Sequence, residues 1–429
     1  MRTYTERQKE LPIKDDFDLI VVGGGPAGVG AAYSAGKLGS KTLLIEQMGG
    51  LGGVATTGLM SHWTGGTRGG VYEEILDRSY HGAGSWQTIH HELLKTALLE
   101  MMEEAHVTVR LYTLACEPIM ENDSIIGVIT ESKSGREAFL GKYVIDASGD
   151  GDIAARAGVP FQKGRPIDNK MQPMTLMFRL GGVDIKNAVL PGSFETNMPI
   201  PGGLIQDLGK QHIPHPAGHV LLYAATLPNS VIVNMTNVIE VDGTNAEELT
   251  KAQIVCRKQI DPIVKFIREF VPGFKDCYVI DSASQIGVRE TRHFEGLYTL
   301  TEDDILTARV FDDWVVSYAH FNFDVHNISG SGLDATGVQK KFSQSKGYTI
   351  PLRCLVPKKI RNLLIAGRNI SGTHIAHSSF RAMPICTNTG QAAGTIATFC
   401  IQQNKTPSEL SIQQLQEVLI KNGMMEPKT

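Results

Sequence analysis

The sequence has little of what marks several classes of protein. Its six cysteines, at positions 116, 256, 277, 354, 386 and 400, form no C-x-x-C pair, which predicts reduced and mostly buried thiols. No apolar run approaches the ~18 residues that cross a membrane, and the first residues lack the apolar core of a signal peptide. These absences predict a cytoplasmic protein that does not associate with a membrane.

The sequence also lacks a basic excess and a conventional metal motif. Its 41 basic and 45 acidic residues give a net charge of −4 without a basic stripe, which argues against nucleic acid as a partner. The pairs His212-x-x-His215 and His374-x-x-His377 have no cysteine or carboxylate companion at metal-ligand spacing. The sequence therefore predicts no metal site.

The stretch Asp18–Glu46 contains a glycine pattern whose context gives it meaning. Gly23, Gly25 and Gly28 fit G-x-G-x-x-G, but composition alone gives roughly half such a match in a chain this rich in glycine. Here an apolar run, Leu19–Val22, leads into the glycines, and a helix of small residues with Pro26 in its first turn follows. The alternative is an ordinary βαβ unit with glycine-rich packing, and the complete context favours a bound dinucleotide.

Each part of that stretch has a physical role in holding a dinucleotide. The glycines permit a tight turn, close approach of a pyrophosphate and close helix–strand packing. The helix N-terminus attracts the pyrophosphate. Glu46 ends the second strand, where its carboxylate can accept hydrogen bonds from ribose hydroxyls.

The rest of the chain predicts two structural units, one of them discontinuous. A helix around Thr88–Glu104, a strand at 107–112 and an antiparallel meander up to 145 follow the glycine cluster Gly49–Gly53. Residues 161–345 contain strand-like runs rich in β-branched residues and a long helix over Asn245–Phe270. We therefore predict a first domain part over 1–160, an inserted α+β substrate domain over 161–345, and a closing part with a C-terminal helix over 346–429.

Three segments give the chain a family resemblance. They are "IGVRETR" at Ile286–Arg292, "NFDVH" at Asn322–His326, and the segment from Asn362 to Arg381 that contains "NLLIAGR" and "THIAHSSFR". In this order the chain resembles the bacterial FAD-dependent oxidoreductase family within the glutathione-reductase and fumarate-reductase flavoprotein superfamily. Two departures concern substrate charge, since His293 and Asn237 stand where the resemblance leads us to expect arginine.

The resemblance implies an α/β fold with a Rossmann-like FAD-binding domain of glutathione-reductase type, and FAD as the cofactor. Independently, a glycine cluster and a meander after Glu46, in place of further βαβ units, favour FAD over NAD. The final helix is expected to point its N-terminus, around Cys386–Gly390, at the flavin, where its dipole stabilises negative charge. The residues expected to contact FAD are Gly23, Gly25, Pro26, Ala27, Gly28, Glu46, Gly52, Gly53, Ala115, Ser148, Gly149, Asp150, Gly367, Arg368, Thr389 and Gly390.

Histidines and arginines near the flavin segments are the candidates for catalysis. His374, Arg381 and His326 are expected to converge on one face of the flavin, although turn capping would equally explain the first two. Arg289 and Arg292 could each bind a carboxylate bidentately, or either could instead pair internally with Glu290 or Glu295, an alternative that is favoured for Arg292. His377 is a weaker candidate, and covalent attachment of FAD through His62 is not favoured by its neighbours.

These observations predict an enzyme that transfers hydride between flavin N5 and a small, carboxylate-bearing molecule. Two alternatives stay open: a non-catalytic binding protein on the same scaffold, and a flavoprotein subunit that passes electrons to a redox partner. Self-association as a homo-oligomer is equally open, because fold does not fix partner or substrate.

Overall fold

The computed structural model describes residues 2–80, 85–334 and 344–428. The strands of this part are β1 (Ile13–Val22), β2 (Thr42–Ile45), β3 (Thr108–Arg110), β4 (Leu114–Glu121), β5 (Ser124–Ser132), β6 (Gly135–Asp146), β7 (Phe161–Lys163), β8 (Phe178–Gly181), β9 (Pro199–Ile200), β10 (Gly203–Leu204), β11 (Leu222–Ala224), β12 (Val231–Val233), β13 (Tyr278–Ser282), β14 (Arg292–Phe294), β15 (Trp314–Ala319), β16 (Tyr348–Pro351) and β17 (Leu363–Ile365). The helices are α1 (Pro26–Lys37), α2 (Val71–Ser79), α3 (His91–Glu104), α4 (Asp152–Arg156), α5 (Ile205–His212), α6 (Ala246–Phe270), α7 (Glu302–Leu306), α8 (His374–Phe380), α9 (Met383–Gln403) and α10 (Ile412–Lys421).

The largest sheet combines a parallel half with an antiparallel half. Strands β3, β2, β1 and β6 lie side by side in parallel, and β17 joins the far edge of β6, also in parallel. Strands β5 and β4 continue from β6 in antiparallel order, as the meander predicted. The parallel half brings the carboxyl ends of β1, β2 and β17 to one edge, where ligands bind in folds of this kind.

Two helices of small residues cover the parallel half. A Cβ atom placed at Gly390 or Gly394 of α9 would fall inside contact distance of the carbonyl oxygen of Ala27 or Ala31 in α1. Such close crossing is open only to glycine, so the small-residue pattern of the two helices is explained by their contact. The C-terminal part of the chain therefore closes the first domain.

A second, antiparallel sheet has its own core. Its strand order is β11-β12-β8-β13, and helices α5 and α6 pack on it around residues such as Phe178, Ile263 and Phe274. Helix α6 begins where the sequence predicted, because the Asn245 side chain accepts hydrogen bonds from the amides of Glu247 and Glu248.

The last part of the predicted insertion, which ends at residue 345, packs with the first sheet. Strand β15 pairs with β16 across that predicted boundary, and Leu300, Trp314 and Val316 lie in the same core as α1 and α9. The structure thus places these residues with the first sheet, on both sides of residue 345. Among the residues described, none of the helices has the length and apolar character required to span a membrane.

Candidate functional site

The turn between β1 and α1 has the geometry of an anion site. Gly23 adopts a φ of +95°, which favours glycine. A Cβ at Gly28 would clash with the carbonyl oxygen of Gly23, whereas one at Gly25 would meet nothing within 4 Å. Gly25 is also the N-cap of α1 and supplies no side-chain cap to the first amides of the helix. Those amides face space that an anionic group can enter closely.

Glu46 stands beside this turn at the end of β2. Its two carboxylate oxygens accept hydrogen bonds from the amides of Gly24 at 2.6 Å and Met48 at 2.7 Å. Burial raises its pKa, although the amide hydrogen bonds oppose the shift. Each oxygen retains lone-pair capacity for a further donor such as a ribose hydroxyl.

The glycine cluster at 49–53 packs directly over the turn. The amide of Gly52 donates to the carbonyl of Gly24 at 2.8 Å, and a Cβ at Gly53 would lie 3.1 Å from the Cα of Gly25. The two glycine segments therefore form one continuous backbone surface.

Three other predicted cofactor segments meet at the carboxyl ends of β6 and β17. The Asp150 carboxylate accepts hydrogen bonds from Thr291 at 2.7 Å and from Arg368 at 3.1 Å. The amide of Gly367 donates to the Thr389 hydroxyl at 3.0 Å. Ser148 and Gly149 lie in the intervening turn. Contact of these residues with a cofactor stays a prediction.

Two of the predicted cofactor residues have other structural explanations. Gly390 lies against Ala27, so the helix contact accounts for the glycine. Ala115 is buried in β4 and shares a core with Ile45 and Ile153. The helix N-terminus predicted around Cys386–Gly390 also needs correction, since α9 begins at Met383. Proline at position 384 suits a first turn, so the helix N-terminus lies at Ala382 and Met383.

A cavity of about 370 Å³ opens beside these segments. Val54 and Gly58, from the segment after the glycine cluster, line it together with Arg368, Ala382 and Met383. Its far wall comes from the second sheet and includes Tyr223 and Asn234. The volume lies in the range of small-molecule sites, which form preferentially between domains.

Charged and titratable residues from several segments converge in this cavity. Arg289, His326 and Arg381 all line it, together with Asp324, Arg368 and Glu195. Asp324 accepts a hydrogen bond from Arg381 at 2.7 Å, and its carboxylate lies 3.2 Å from His326 Nε2. Burial raises the pKa of Asp324, but His326, Arg381 and Arg289 outweigh it and hold that pKa well below its usual range. Asp324 is thus ionised and orients both partners.

Arg289 and His326 have strongly shifted pKa values. Burial, reinforced by Arg381, lowers the pKa of Arg289 to about 10. Its Nη1 donates to the carbonyl of Pro173 and the hydroxyl of Thr175, and it forms no salt bridge within the part of the chain that the structure describes. Burial, reinforced by Arg289, lowers the pKa of His326 to about 4, so its imidazole is neutral at neutral pH. The Nε2–H donates to Asp324, which leaves Nδ1 as the acceptor.

His374 belongs to a different group of side chains. Its Nδ1 lies 2.6 Å from Oε1 of Glu290, which His293 Nε2 also approaches at 2.8 Å. His374 does not line the cavity, so the structure does not bring it together with His326 and Arg381. The fold also gives His374-x-x-His377 a carboxylate companion, Glu290, that lies far away in the sequence. Residue spacing alone did not predict this carboxylate companion.

The remaining candidates are placed individually. Arg292 donates to the carboxylate of Asp152 at 2.9 Å and to the carbonyl of Asp150, so its internal partners differ from the two glutamates expected. His62 lines the cavity and accepts or donates a hydrogen bond with Ser61 at 2.8 Å. Asp324 was missed as a site residue, although it lies within the "NFDVH" segment beside His326.

The site combines a glycine turn at a helix N-terminus with a carboxylate at the end of the next parallel strand, and a cavity adjoins both. These features are typical of a dinucleotide-binding protein with a pocket for a second molecule. The chain belongs to the FAD dependent oxidoreductase family, whose model matches residues 18–419. The open approach at Gly25 and the ribose-side carboxylate of Glu46 fit FAD.

Individual relatives are similar over parts of the chain. Digeranylgeranylglycerophospholipid reductase 1 of Methanococcoides burtonii is 26% identical over 216 residues, which cover 42% of this chain and 51% of the relative. Dihydrolipoyl dehydrogenase of Trypanosoma brucei brucei is 52% identical over 43 residues, 10% of this chain and 9% of the relative. The matches thus span about half or less of the curated relatives.

Among solved structures, a geranylgeranyl bacteriochlorophyll reductase-like protein of Thermoplasma acidophilum has a TM-score of 0.49 at 16% identity. That match covers 96% of this chain and 84% of the other. The p-nitrophenol 4-monooxygenase of Pseudomonas putida has a TM-score of 0.49 at 11% identity, with 96% and 85% covered.

Proposed function

We propose that the enzyme transfers hydride between FAD and a small carboxylate-bearing molecule bound in the cavity. FAD, when bound, supplies hydride acceptance and donation at N5 of its flavin. Gly23, Gly25, Gly28 and Glu46 would hold its pyrophosphate and adenosine end. The segments that include Gly53, Arg368 and the N-terminus of α9 would hold the remainder.

The observation that carries the substrate class is the buried guanidinium of Arg289. It lines the cavity without a carboxylate salt bridge in the described residues, whereas Arg381 pairs with Asp324 and Arg368 with Asp150. Asp324 offsets only part of the cost of burying this cation, because its carboxylate is hydrogen-bonded to Arg381 and His326. A substrate carboxylate would offset that cost through bidentate hydrogen bonds to the planar guanidinium.

His326 would manage the proton that accompanies the hydride. Its neutral imidazole is fixed by Asp324 with Nδ1 as an acceptor. This supports a general base that takes a proton from a hydroxyl or amino group on the carbon that loses hydride. Arg381, held by Asp324 through two hydrogen bonds, would bind the anion from the other side. The apolar lining, with Met60, Met177 and Phe323, would exclude water.

Arg289→Met tests the anion site. Loss of charge-assisted hydrogen bonds worth about 1.5–3 kcal/mol should weaken binding of benzoate about ten- to a hundred-fold. Binding would be followed through perturbation of the flavin absorbance, with Arg257→Met as the control because Arg257 is exposed and donates to Ser282. FAD content should stay at the wild-type level. Equal binding of neutral benzamide and benzoate by the wild type would contradict the proposal.

His326→Gln tests the proton step separately. Hydroxy and amino carboxylates would be screened anaerobically for bleaching of the flavin, and the rate with the best substrate would be compared. We expect a fall of about 10²–10⁴-fold in the variant, with benzoate affinity nearly unchanged. A wild-type rate in the variant would remove His326 from the proposed mechanism.

A further inference from the structure

The group of side chains around Glu290 lies outside the cavity and has no part in the proposed reaction. It joins two segments: Glu290 lies just before β14 and His293 within it, and His374 and His377 lie in α8. Glu290 is 0% exposed, His377 is 1% and His293 is 7%. Arg289, which lines the cavity, immediately precedes Glu290 in the sequence.

The Glu290 carboxylate lacks a conventional countercharge. Its Oε1 accepts hydrogen bonds from His293 Nε2 at 2.8 Å and from His374 Nδ1 at 2.6 Å. Its other oxygen accepts a hydrogen bond from the amide of Gln172 at 3.0 Å. No lysine or arginine pairs with it among the residues described. A buried carboxylate in such surroundings requires a positive partner.

Two imidazole nitrogens in the same group also lack partners. The Nδ1 atoms of His293 and His377 are buried and have no hydrogen bond in the described structure. The two rings meet edge to face with centroids 4.8 Å apart. A buried polar nitrogen without a partner destabilises the fold, and a neutral imidazole with an available lone pair is the commonest metal ligand in proteins.

The donor atoms are close enough to share one ion. One ligand atom from each of Glu290, His293 and His377 lies within 4.8 Å of the others. Zinc–nitrogen and zinc–oxygen bonds of about 2.0–2.2 Å place the ligands of a tetrahedral ion about 3.3–3.5 Å apart. Side-chain adjustments of about an ångström would therefore gather all three around a centre.

We propose that Glu290, His293 and His377 form a binding site for a divalent metal of the zinc class. His374 would hold the Glu290 carboxylate in position from outside the coordination sphere, as the partners of metal ligands commonly do. The ion neutralises the carboxylate, satisfies the unpartnered nitrogens and ties α8 to the segment before β14. Since Arg381 directly follows α8 and Arg289 precedes Glu290, the site fixes these two of the arginines that line the cavity. This inference is independent of the proposed reaction.

Zinc uptake by the FAD-loaded enzyme tests the site. The protein would be stripped with a chelator, dialysed against zinc with excess FAD, and assayed for zinc by mass spectrometry. We expect one equivalent per chain in the wild type and none retained by Glu290→Gln or His377→Gln. His374→Gln should weaken zinc binding by about 10–100-fold. The control His212→Gln changes an exposed histidine of α5 and should keep the full equivalent.

Two results would overturn the proposal: a wild-type enzyme that takes up no zinc, and a Glu290→Gln variant that retains as much as the wild type. Should both ligand variants lose FAD through misfolding, X-ray absorption at the zinc edge of the wild type decides the question. Histidine and carboxylate scattering supports the site, whereas an ion surrounded by oxygen alone is an adventitious ion and refutes it.

Discussion

At the scale of single residues, the three glycines of the fingerprint have different physical roles. A side chain at Gly28 would collide with the backbone of Gly23, whereas one at Gly25 would extend into open space. Position 28 is therefore constrained by contacts within the protein, whereas position 25 is constrained by a ligand that approaches the turn. Sequence pattern alone assigns both to the same motif.

This difference predicts opposite phenotypes for two valine substitutions. Gly25→Val should abolish retention of FAD while the urea midpoint of the cofactor-free protein stays near wild type, because no protein atom lies within 4 Å of the added Cβ. Gly28→Val should lower that midpoint by an amount equivalent to about 1–3 kcal/mol or more, through overpacking. FAD content by absorbance and unfolding by circular dichroism measure the two effects. Normal flavin content in Gly25→Val would refute the fingerprint assignment.

At the scale of elements, several helices and strands could be predicted from the hydrophobic periodicity of the sequence. The apolar run before Gly23, the helix opened by Asn245 and the small-residue helix near the C-terminus all correspond to elements of the structure. Boundaries were less certain, as the start of α9 at Met383 shows. The Glu290 group was not predicted, because Glu290 and the histidines of α8 are far apart in the sequence and approach one another only in the folded chain.

From the contact between α1 and α9 we expect a glycine-to-alanine change in α9 to lower stability, whereas helix propensity alone would raise it. In an exposed helix, glycine to alanine adds about 1 kcal/mol of stability. Gly394→Ala should instead lower the free energy of unfolding, because its Cβ would press on the Ala31 carbonyl. Urea denaturation of the FAD-loaded protein measures the change. An increase in stability would show that the helices separate more readily than the structure indicates.

At the scale of the whole molecule, buried histidines make folding sensitive to acid. Burial lowers the pKa of His91 to about 4 and that of His219 to about 3, and it also dominates the shift of His326 to about 4. An unfolded histidine titrates near 6.5. Between those values the unfolded chain binds more protons than the folded one, so stability falls as the pH drops through this window.

We therefore expect the free energy of unfolding to fall by about 1–2 kcal/mol per buried histidine between about pH 7 and pH 5. His219→Gln, whose amide can replace the hydrogen bond to the Asn234 carbonyl, should lose less stability over the same range. His212→Gln should follow the wild type, since His212 is exposed. Urea titrations with saturating FAD at each pH supply the comparison, and identical slopes for all three proteins would contradict this account.

The closure of the first domain by α9 also has a consequence for how the chain is made. During synthesis α1 emerges more than 300 residues before β17, which completes its sheet, and before α9, which packs on it. The second sheet, whose strands and helices lie within one continuous stretch, can assemble on the ribosome in the interval. The apolar surface of α1 therefore stays uncovered until α9 has been synthesised.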